Sequence, residues 1–388
     1  MRSVSIIGAG CTKFGEHWEK NFKELIAEAG VKAILDSGLE RKDIQAVYGG
    51  CMASGRFVGQ EHIGALIADQ LGLNPIPSTR LEAACASGGV ALRNGYIAVA
   101  SGMYDVVAVG GIEKMTEVST EDAGFALGGA GDQETELFMG ASFPALYALM
   151  ARAHMNKFGT TEEQLAHVAV KNHSNAVHNP YAQFQNAVTL EQVMKSGYVA
   201  SPLKLLDCSP ISDGAAAVIL VSSDYAKKNK LDKKAVEIIA SAQASDTLAL
   251  ASRENLYETK AGKIAGKQAY EQANLTPKDI DFAEVHDCFT IAEIMAIEAL
   301  GFCKQGEGGK FTEQGNTKMD GSIPVNTSGG LKAKGHPVGA TGVAQAIEAY
   351  QQLNNNAGKR QVKGAEIGLT HNIGGSGATA VVHIYRKA

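Results

Sequence analysis

The stretch RLEAACASGGVALRNGYIAVASGMYDVVAVGG, residues 80–111, combines the signals of an α/β unit. Apolar residues between 90 and 97 recur at helical spacing, and residues 105–109 read as a short buried strand. A lone cysteine, Cys85, stands where an apolar segment gives way to small residues, just before the helical pattern. The sequence therefore predicts a thiol close to the N-terminus of a helix that leads back into a sheet.

Length, composition and charge are typical of an α/β enzyme. The chain has 388 residues, of which 45% are hydrophobic and 20% charged, and it contains 44 glycines. This length exceeds one typical core, so two or three domains are expected. The net charge of -5 comes from interspersed signs, which argues against a nucleic-acid partner. No signal-peptide pattern opens the chain and no run approaches about 18 apolar residues, so we expect no membrane association and a cytoplasmic location.

The cysteines and glycine-rich loops do not predict a metal or a nucleotide cofactor. The six cysteines are widely spaced and form no C-x-x-C pair, so neither a zinc site nor a disulfide framework is expected. IIGAGCTKFG (6–15) has a lysine where the dinucleotide-binding pattern needs its third glycine. GGLKAKGHP (329–337) lacks the Lys-Ser/Thr ending of a P-loop.

An internal repeat indicates two related α/β halves. The matching segments are 3–51 with 235–288, 85–102 with 338–353, and 213–221 with 376–385. The predicted domains are an N-terminal half (1–115 and 200–232), an inserted domain (116–199) and a C-terminal half (233–388). The insert has no counterpart in the second half, and we expect it to cover a ligand.

The insert contains histidines and large apolar residues whose roles the sequence leaves open. His154, His167, His173 and His178 include no pair at the i, i+4 spacing of a zinc-binding helix, so we expect solvated surface histidines. A second set could form a core or an acyl pocket: Phe138, Met139, Phe143, Tyr147, Met150 and Met155.

Three further stretches contain candidate catalytic groups: EVHDCFT (284–290), GGLKAKGHPVGATG (329–342) and LTHNIGGSG (369–377). In the repeat, His336 precedes the second helix as Cys85 precedes the first, so a pseudo-twofold axis would bring thiol and imidazole into one crevice. A helix N-terminus and a nearby histidine lower a cysteine pKa, and only the thiolate attacks. We therefore predict that Cys85 is a nucleophile and that His336 is its base or its ion-pair partner.

The other two loops fit the same crevice. His286 and Cys288 directly follow an apolar strand, at the end of the strand where α/β sites gather. The HNIGG loop also follows a strand, and its glycines leave backbone N–H groups free to face a developing oxyanion. All four loops are therefore expected to converge.

Taken together, these motifs resemble the thiolase superfamily, and most closely its sterol-carrier-type and archaeal members. The resemblance covers nearly the whole chain: EAACASG (82–88), CSPISDGAAAV (208–218), HDCF (286–289), VNTSGGLKAKGHPVGATG (325–342) and HNIGGSG (371–377). It implies a five-layered αβαβα thiolase fold of two duplicated halves, with the insert as a loop domain over coenzyme A. Coenzyme A thioesters would then be substrates, and no cofactor is expected.

The resemblance also implies catalytic roles. Cys85 would accept the acyl group as a thioester, and His336 would deprotonate it. Many thiolases have an Asn-Glu-Ala-Phe loop and a second catalytic cysteine in a Cys-x-Gly loop, whereas this chain has HDCF and HNIGG, with Asn372 in place of that cysteine. Sterol-carrier-type members share this pattern, which assigns acid/base catalysis to Cys288 and a part in the first oxyanion hole to His286.

Binding groups follow from the same resemblance. The second oxyanion hole would use the backbone N–H of the nucleophile and that of Gly374, with Gly375 as the one-residue alternative. Ser328 and Gly329, in the VNTSGG run, would lie near the pantetheine arm.

The implied reaction is the reversible Claisen condensation of two acetyl-CoA to acetoacetyl-CoA and CoA, through an acyl-cysteine, in the biosynthetic direction of the mevalonate pathway. A degradative 3-ketoacyl-CoA thiolase of broader chain length and a non-catalytic acyl-CoA-binding scaffold remain alternatives. The partners implied are a second copy, as homodimer or homotetramer, and a hydroxymethylglutaryl-CoA synthase joined through a small zinc-ribbon/OB-type protein.

Overall fold

The computed structural model describes residues 2–388, which are arranged around a mixed nine-stranded sheet. The strands are β1 Val4–Cys11, β2 Ala46–Gly50, β3 Ser78–Leu81, β4 Val106–Glu113, β5 Tyr198–Ala200, β6 Leu203–Lys204, β7 Gly214–Ser222, β8 Val236–Ser245, β9 Phe282–Glu284, β10 Ile367–Gly374 and β11 Thr379–Lys387. The sheet order is β3-β2-β4-β7-β1-β8-β11-β10-β9, and β5 pairs with β6 in a separate hairpin.

The helices surround this sheet. They are α1 Phe22–Ser37, α2 Ser54–Phe57, α3 Ile63–Leu71, α4 Ser87–Ala100, α5 Thr120–Gly128, α6 Phe143–Phe158, α7 Glu162–Ala176, α8 Leu190–Lys195, α9 Ser223–Lys228, α10 Lys260–Ala273, α11 Thr290–Ala299, α12 Gly308–Glu313, α13 Gly330–Lys334 and α14 Thr341–Leu353. Across residues 2–388, no helix combines the length and the apolar character that crossing a membrane requires.

The strand order shows the duplication. Strands β3-β2-β4-β7-β1 form the first half, and β8-β11-β10-β9 repeat the order of β2-β4-β7-β1 in reverse, without a counterpart of β3. In each half a parallel pair, β2 with β4 or β9 with β10, is followed by an antiparallel neighbour, β7 or β11. The halves meet where β1 and β8 pair antiparallel, at Ser5 with Glu237 and Ile6 with Val236. The predicted pair of related halves is confirmed.

Helices α4 and α14 form the central layer between the two halves. Helix α4 contacts β4 and β2 on one side and β8 on the other, while α14 contacts β10 as well as β7 and β1. The two helices cross closely at their N-termini, where a Cβ on Gly88 would lie 2.6 Å from the carbonyl oxygen of Gly339. Helices α1 and α3 cover the outer face of the first half, and α10 covers that of the second. The result is the predicted αβαβα layering.

The elements between β4 and β7 form the insert, and their packing corrects one prediction. His154 is fully buried, with Nδ1 bonded to Thr160 at 2.8 Å and Nε2 to Glu298 of α11 at 3.1 Å. His173 is also buried, whereas His167 is half-buried and His178 exposed. The prediction of four solvated histidines is therefore wrong for His154 and His173, because α6 and α7 pack against α11 and α13 of the second half.

The large apolar residues of the insert divide into three groups. Tyr147 and Met150 are buried in a core that also contains Cys288, and Met155 packs against this core. Phe143 lines a cavity beside the first half. Phe138 and Met139 are exposed.

Candidate active site

Cys85 lies in a strained turn at the start of α4. Ala86 caps the helix and Ser87 begins it. Ala84 has a φ of 52°, in the left-handed region that residues with a Cβ rarely adopt. The Ser87 hydroxyl donates to the Ala84 carbonyl at 2.6 Å and accepts from the Ala83 N–H at 3.0 Å, so the turn is held by its own residues. Backbone strain of this kind is typical of functional sites.

The cysteine opens onto a cavity of about 270 Å³ between the two halves and the insert. Its walls are Cys85, Met115, Thr120, Gly124, Leu127, Ser142, Phe143, Pro144, Cys208, Ser209, Pro210, Ile211, Cys288, Phe289, His336, Val338 and Gly375. Residues of the four predicted loops therefore meet at one cavity. The insert contributes one wall, as a ligand-covering element should.

Two imidazoles approach the thiol. One side-chain ligand atom from each of Cys85, His286 and His336 lies within 4.8 Å of the others. The two rings meet edge to face, with centroids 5.0 Å apart and planes at 84°. The thiol and both histidines thus form one cluster, although they come from distant parts of the chain.

The hydrogen bonds of His336 define its tautomer. Its Nδ1 lies 2.7 Å from the Thr341 hydroxyl, which itself donates to the Pro337 carbonyl at 3.1 Å. A hydroxyl has one hydrogen, so Thr341 accepts from His336, and Nδ1 carries the ring hydrogen. Nε2 of His336 has no hydrogen-bond partner among residues 2–388, so its lone pair is available. The backbone N–H of His336 donates to Ser212 at 2.9 Å, which holds the loop in place.

His286 has the opposite tautomer. The Asn372 side-chain oxygen accepts from the Gly89 N–H at 3.2 Å, so its NH₂ group lies 3.1 Å from both the Cys85 carbonyl and Nδ1 of His286. An NH₂ group donates, so Nδ1 of His286 accepts and the ring hydrogen resides on Nε2. His286 therefore offers a donor, whereas His336 offers an acceptor.

The cluster meets the distance requirement of a metal site but not its chemistry. A metal needs a lone pair from each imidazole. With Asn372 oriented as above, the nitrogen of His286 that remains available carries a hydrogen. This donor set favours proton transfer and hydrogen bonding over metal binding.

Burial keeps both histidines neutral. It lowers the pKa of His286 well below the usual value, and the neighbouring His336 and His371 lower it further. Burial alone lowers the pKa of His336 to about 3 and that of His371 to about 4. The sequence motifs give no role to His371, which lies on β10 beside Asn372 and faces Gly262 of α10.

Burial also corrects the expected acidity of the nucleophile. It raises the pKa of Cys85 to about 12, a hydrogen bond from the Gly375 N–H lowers it, and the Glu113 carboxylate raises it again. The prediction of a lowered pKa is therefore wrong, because desolvation outweighs the backbone hydrogen bonds that lower the pKa. A cysteine with a raised pKa must pass its proton to a base as the sulfur attacks.

The second cysteine is coupled to a tyrosine that the sequence did not single out for catalysis. Burial raises the pKa of Cys288 well above its usual value, the nearby Cys85 adds to this, and a hydrogen bond with Tyr147 lowers it. While Cys288 is a thiol, the single hydrogen of the Tyr147 hydroxyl is donated to the Gly375 carbonyl at 3.0 Å. The Tyr147 ring stacks on Phe289 with centroids 4.6 Å apart. An aromatic residue at helical spacing gave no signal of this contact.

The structure distinguishes between the two glycines proposed for the second oxyanion hole. Gly375 lines the cavity, and hydrogen bonding by its backbone N–H lowers the pKa of the Cys85 thiol. Gly374 ends β10 opposite Thr379, and a Cβ there would lie 2.3 Å from the Ala83 carbonyl oxygen. The geometry therefore favours Gly375 over Gly374.

Ser328 and Gly329 lie apart from the cavity. Ser328 is fully buried, with its hydroxyl and N–H on the Glu284 carboxylate and its carbonyl on Asn179. Gly329 packs against α7, where a Cβ would lie 2.5 Å from that of Ala176. Contact with the pantetheine arm is not supported, because these interior partners leave neither residue facing the cavity.

Asp287, between the two HDCF site residues, connects two catalytic loops. Its carboxylate accepts from the N–H groups of Leu331 and Lys332 at 2.7 and 3.2 Å, and from Asn172 at 2.6 Å. Burial raises its pKa to about 7, and Glu293 contributes to the rise. This contact sets the HDCF loop against the segment that leads to His336.

The duplicated layers, with a cysteine and two histidines between the halves, define a thiolase-type fold and site. Residues 4–224 match the family description "Thiolase, N-terminal domain", and residues 242–387 match "Thiolase C-terminal domain-like". The chain belongs to the thiolase family.

Three known proteins illustrate the similarity. The chain is 58% identical over 387 residues to an "Acetyl-CoA acetyltransferase" of Methanothermobacter thermautotrophicus, covering 100% of both chains. It is 53% identical over 392 residues to a protein of the same description from Methanocaldococcus jannaschii, covering 99% of each. The solved structure described as "Ltp2-ChsH2(DUF35) aldolase" aligns with a TM-score of 0.84 at 26% identity, covering 98% of this chain and 97% of that one.

Proposed function

We propose that this chain is an acetyl-CoA C-acetyltransferase, which condenses two acetyl-CoA reversibly to acetoacetyl-CoA and CoA through an acetyl-cysteine. The names of the archaeal relatives support the substrate. The observation that carries the chemistry is the cluster of Cys85, His286 and His336, within 4.8 Å of one another and beside a cavity that Cys288 also lines.

The first half-reaction forms the acetyl-enzyme. The Cys85 sulfur attacks the thioester carbonyl of acetyl-CoA while its proton passes to Nε2 of His336. The backbone N–H groups of Cys85 and Gly375 bind the oxyanion. The tetrahedral intermediate then expels the CoA thiolate, which takes a proton from Cys288. His336 is now an imidazolium and Cys288 a thiolate.

The second half-reaction forms the carbon–carbon bond. The Cys288 thiolate removes an α-proton from a second acetyl-CoA, and His286 and protonated His336 donate to the resulting enolate oxygen. The enolate carbon attacks the acetyl group on Cys85. Collapse of this intermediate expels the Cys85 thiolate, which recovers its proton from His336. Every group returns to its starting protonation state.

Peptide mass spectrometry after incubation with acetyl-CoA tests the proposal. We expect one acetylated peptide, the one containing Cys85, and no acetylation of a Cys85→Ala variant. Cys288→Ala should still be acetylated but should no longer exchange the methyl protons of acetyl-CoA with deuterium. Cys303→Ala, which removes a cysteine outside the cavity, is the matched control. Acetylation of another residue in the wild type would overturn the assignment.

A broader 3-ketoacyl-CoA thiolase is the competing activity. The cavity has a volume of about 270 Å³, and its walls include Phe143, Phe289 and Leu127, which supports a short acyl group. We propose that the reaction runs in the biosynthetic direction, in the mevalonate pathway. Thiolysis rates on a series of 3-ketoacyl-CoA lengths decide between them. Equal rates on long chains would favour the broader activity, and absence of any CoA-dependent cleavage would favour a non-catalytic acyl-CoA-binding scaffold.

We also propose that the chain forms a homodimer or homotetramer and works beside a hydroxymethylglutaryl-CoA synthase, through a small zinc-ribbon/OB-type bridging protein. The name of the aldolase neighbour includes a DUF35 component, which supports a partner of this kind. Light scattering of the purified chain measures the oligomer. Co-purification with the two partners tests the complex, and elution of the chain apart from both would contradict it.

A further inference from the structure

Asn372 stands on β10 between the two halves, and each polar atom of its side chain has a protein partner. The oxygen accepts from the Gly89 N–H of α4 at 3.2 Å. The nitrogen lies 3.1 Å from the Cys85 carbonyl oxygen and 3.1 Å from Nδ1 of His286. One buried amide therefore contacts the first helix, the nucleophile turn and the HDCF loop.

The surroundings permit only one orientation of this amide. After a flip, NH₂ would face the Gly89 N–H and the oxygen would face the Cys85 carbonyl, which leaves buried donors and acceptors unpaired. The two central helices also enclose the group, because a Cβ on Gly89 would lie 2.8 Å from its oxygen and one on Gly342 only 2.3 Å. The NH₂ group is therefore directed at His286.

We infer that Asn372 is a positioning residue that sets the tautomer of His286, holding the ring hydrogen on Nε2 where an enolate oxygen can receive it. The groups that act on His286 include the imidazoles of His336 and His371, with the thiol of Cys85 also in the cluster. In the resting chain both imidazoles are neutral, so they supply no charge that would choose between the ring nitrogens before substrate reacts. The amide makes that choice. The effect of this tautomer on the reaction rate rests on the proposed function, whereas the tautomer itself does not.

The variant Asn372→Asp reverses the choice in a pH-dependent way. At low pH the introduced carboxyl group and Nδ1 of His286 share one proton, and a second proton is on Nε2. The Nε2–H is then preserved whether the shared proton is on the carboxyl group or on Nδ1. When the pair loses a proton at higher pH, the carboxylate accepts from Nδ1–H and Nε2 becomes bare. The donor is therefore present below the pKa of the pair and absent above it.

The direct test is ¹⁵N NMR of the histidine-labelled chain, with the His286 signals assigned by their absence in His286→Gln. We expect a protonated Nε2 and a bare Nδ1 in the wild type, and the reverse in Asn372→Asp at high pH. A protonated Nδ1 in the wild type would overturn the inference, and this result needs neither a variant nor an activity measurement. If Cys85 is not acetylated by acetyl-CoA, the proposed function fails while this measurement still stands.

The kinetic test uses deuterium exchange into acetyl-CoA. In Asn372→Asp we expect exchange to fall about 100-fold above the pKa of the pair, the loss typical of one oxyanion donor, and to recover below it. Gln345→Glu is the matched control, because it also changes a buried amide to an acid but contacts the His371 carbonyl and not His286. A pH-independent loss in Asn372→Asp, or the same pH profile in both variants, would refute the tautomer mechanism.

Discussion

Replacement of Gly375 by alanine tests the oxyanion hole most directly. Gly375 has a φ of 61°, where an L-residue costs roughly 1–2 kcal/mol. A Cβ there would also lie 2.6 Å from the carbonyl oxygen of Ala130, a backbone atom of the insert that cannot rotate away. The loop must shift, and the hydrogen bond from Tyr147 to the Gly375 carbonyl shifts with it.

That shift removes the Gly375 N–H from the Cys85 sulfur and from the oxyanion beside it. One lost donor of this kind reduces the rate by about 10²–10³, or about 3–4 kcal/mol of transition-state stabilisation. We therefore expect Gly375→Ala to acetylate Cys85 at least about 100 times more slowly than the wild type. The free energy of unfolding should fall by only about 1–3 kcal/mol.

The control is Gly358→Ala. Gly358 has a φ of 60°, almost identical to that of Gly375, but a Cβ there meets nothing within 4 Å. It therefore carries the same conformational cost without disturbing the cavity. Rapid-quench acetylation followed by mass spectrometry gives the rates, and denaturant titration gives the stabilities. Equal acetylation rates in the two variants would show that the Gly375 N–H does not bind the oxyanion.

Three further outcomes follow from named contacts. Tyr147→Phe removes the hydroxyl that lowers the pKa of Cys288. Deuterium exchange into acetyl-CoA should therefore slow, and the pH at which its rate rises should become higher. An unchanged pH profile would contradict this. Burial lowers the pKa of His336 to about 3, so the base stays neutral in mild acid and Cys85 acetylation should lose rate only well below pH 6.5; an acid limb near 6.5 would contradict it. Ser328→Ala removes one of the donors of the buried Glu284 carboxylate and should cost about 1–3 kcal/mol of stability, with no change in KM for acetyl-CoA. A raised KM would restore the predicted pantetheine contact.

The layering was accessible from the sequence because it depends on local patterns that occur twice. Residues 85–102 and 338–353 share small residues at their start, and these small residues let α4 and α14 cross closely in the centre. The repeat also placed His336 opposite Cys85, which is how the cluster could be anticipated.

Burial could not be anticipated in the same way, because it sums contributions from residues far apart in the chain. The helix N-terminus beside Cys85 is visible in sequence, whereas the loops of both halves that surround its sulfur are not. His154 shows the same limit. Its partner Glu298 lies on α11, and the spacing of histidines along the insert gave no sign of that contact.

Contacts made by a single atom were also out of reach. The apolar pattern of α6 predicted that Tyr147 could be buried, but a hydroxyl adds nothing to that pattern. Its bond to the Gly375 carbonyl depends on the relative placement of the insert and the second half. The choice between Gly374 and Gly375 likewise depends on which N–H turns toward the thiol after β10 ends.

This chain departs from the common thiolase pattern in two linked ways: it has an asparagine at position 372, and it has a cysteine in the HDCF loop. A thiol at position 372 would have only a weak donor and a weak acceptor for the Gly89 N–H, the Cys85 carbonyl and the His286 ring. An asparagine satisfies all three, and it thereby fixes a donor on the very histidine that stands where other members have an asparagine. The thiol to which we assign acid/base catalysis is Cys288, on the same cavity. Moving the thiol to the HDCF loop and placing an amide at Asn372 are therefore physically linked, because His286 is a useful donor only while the amide faces it.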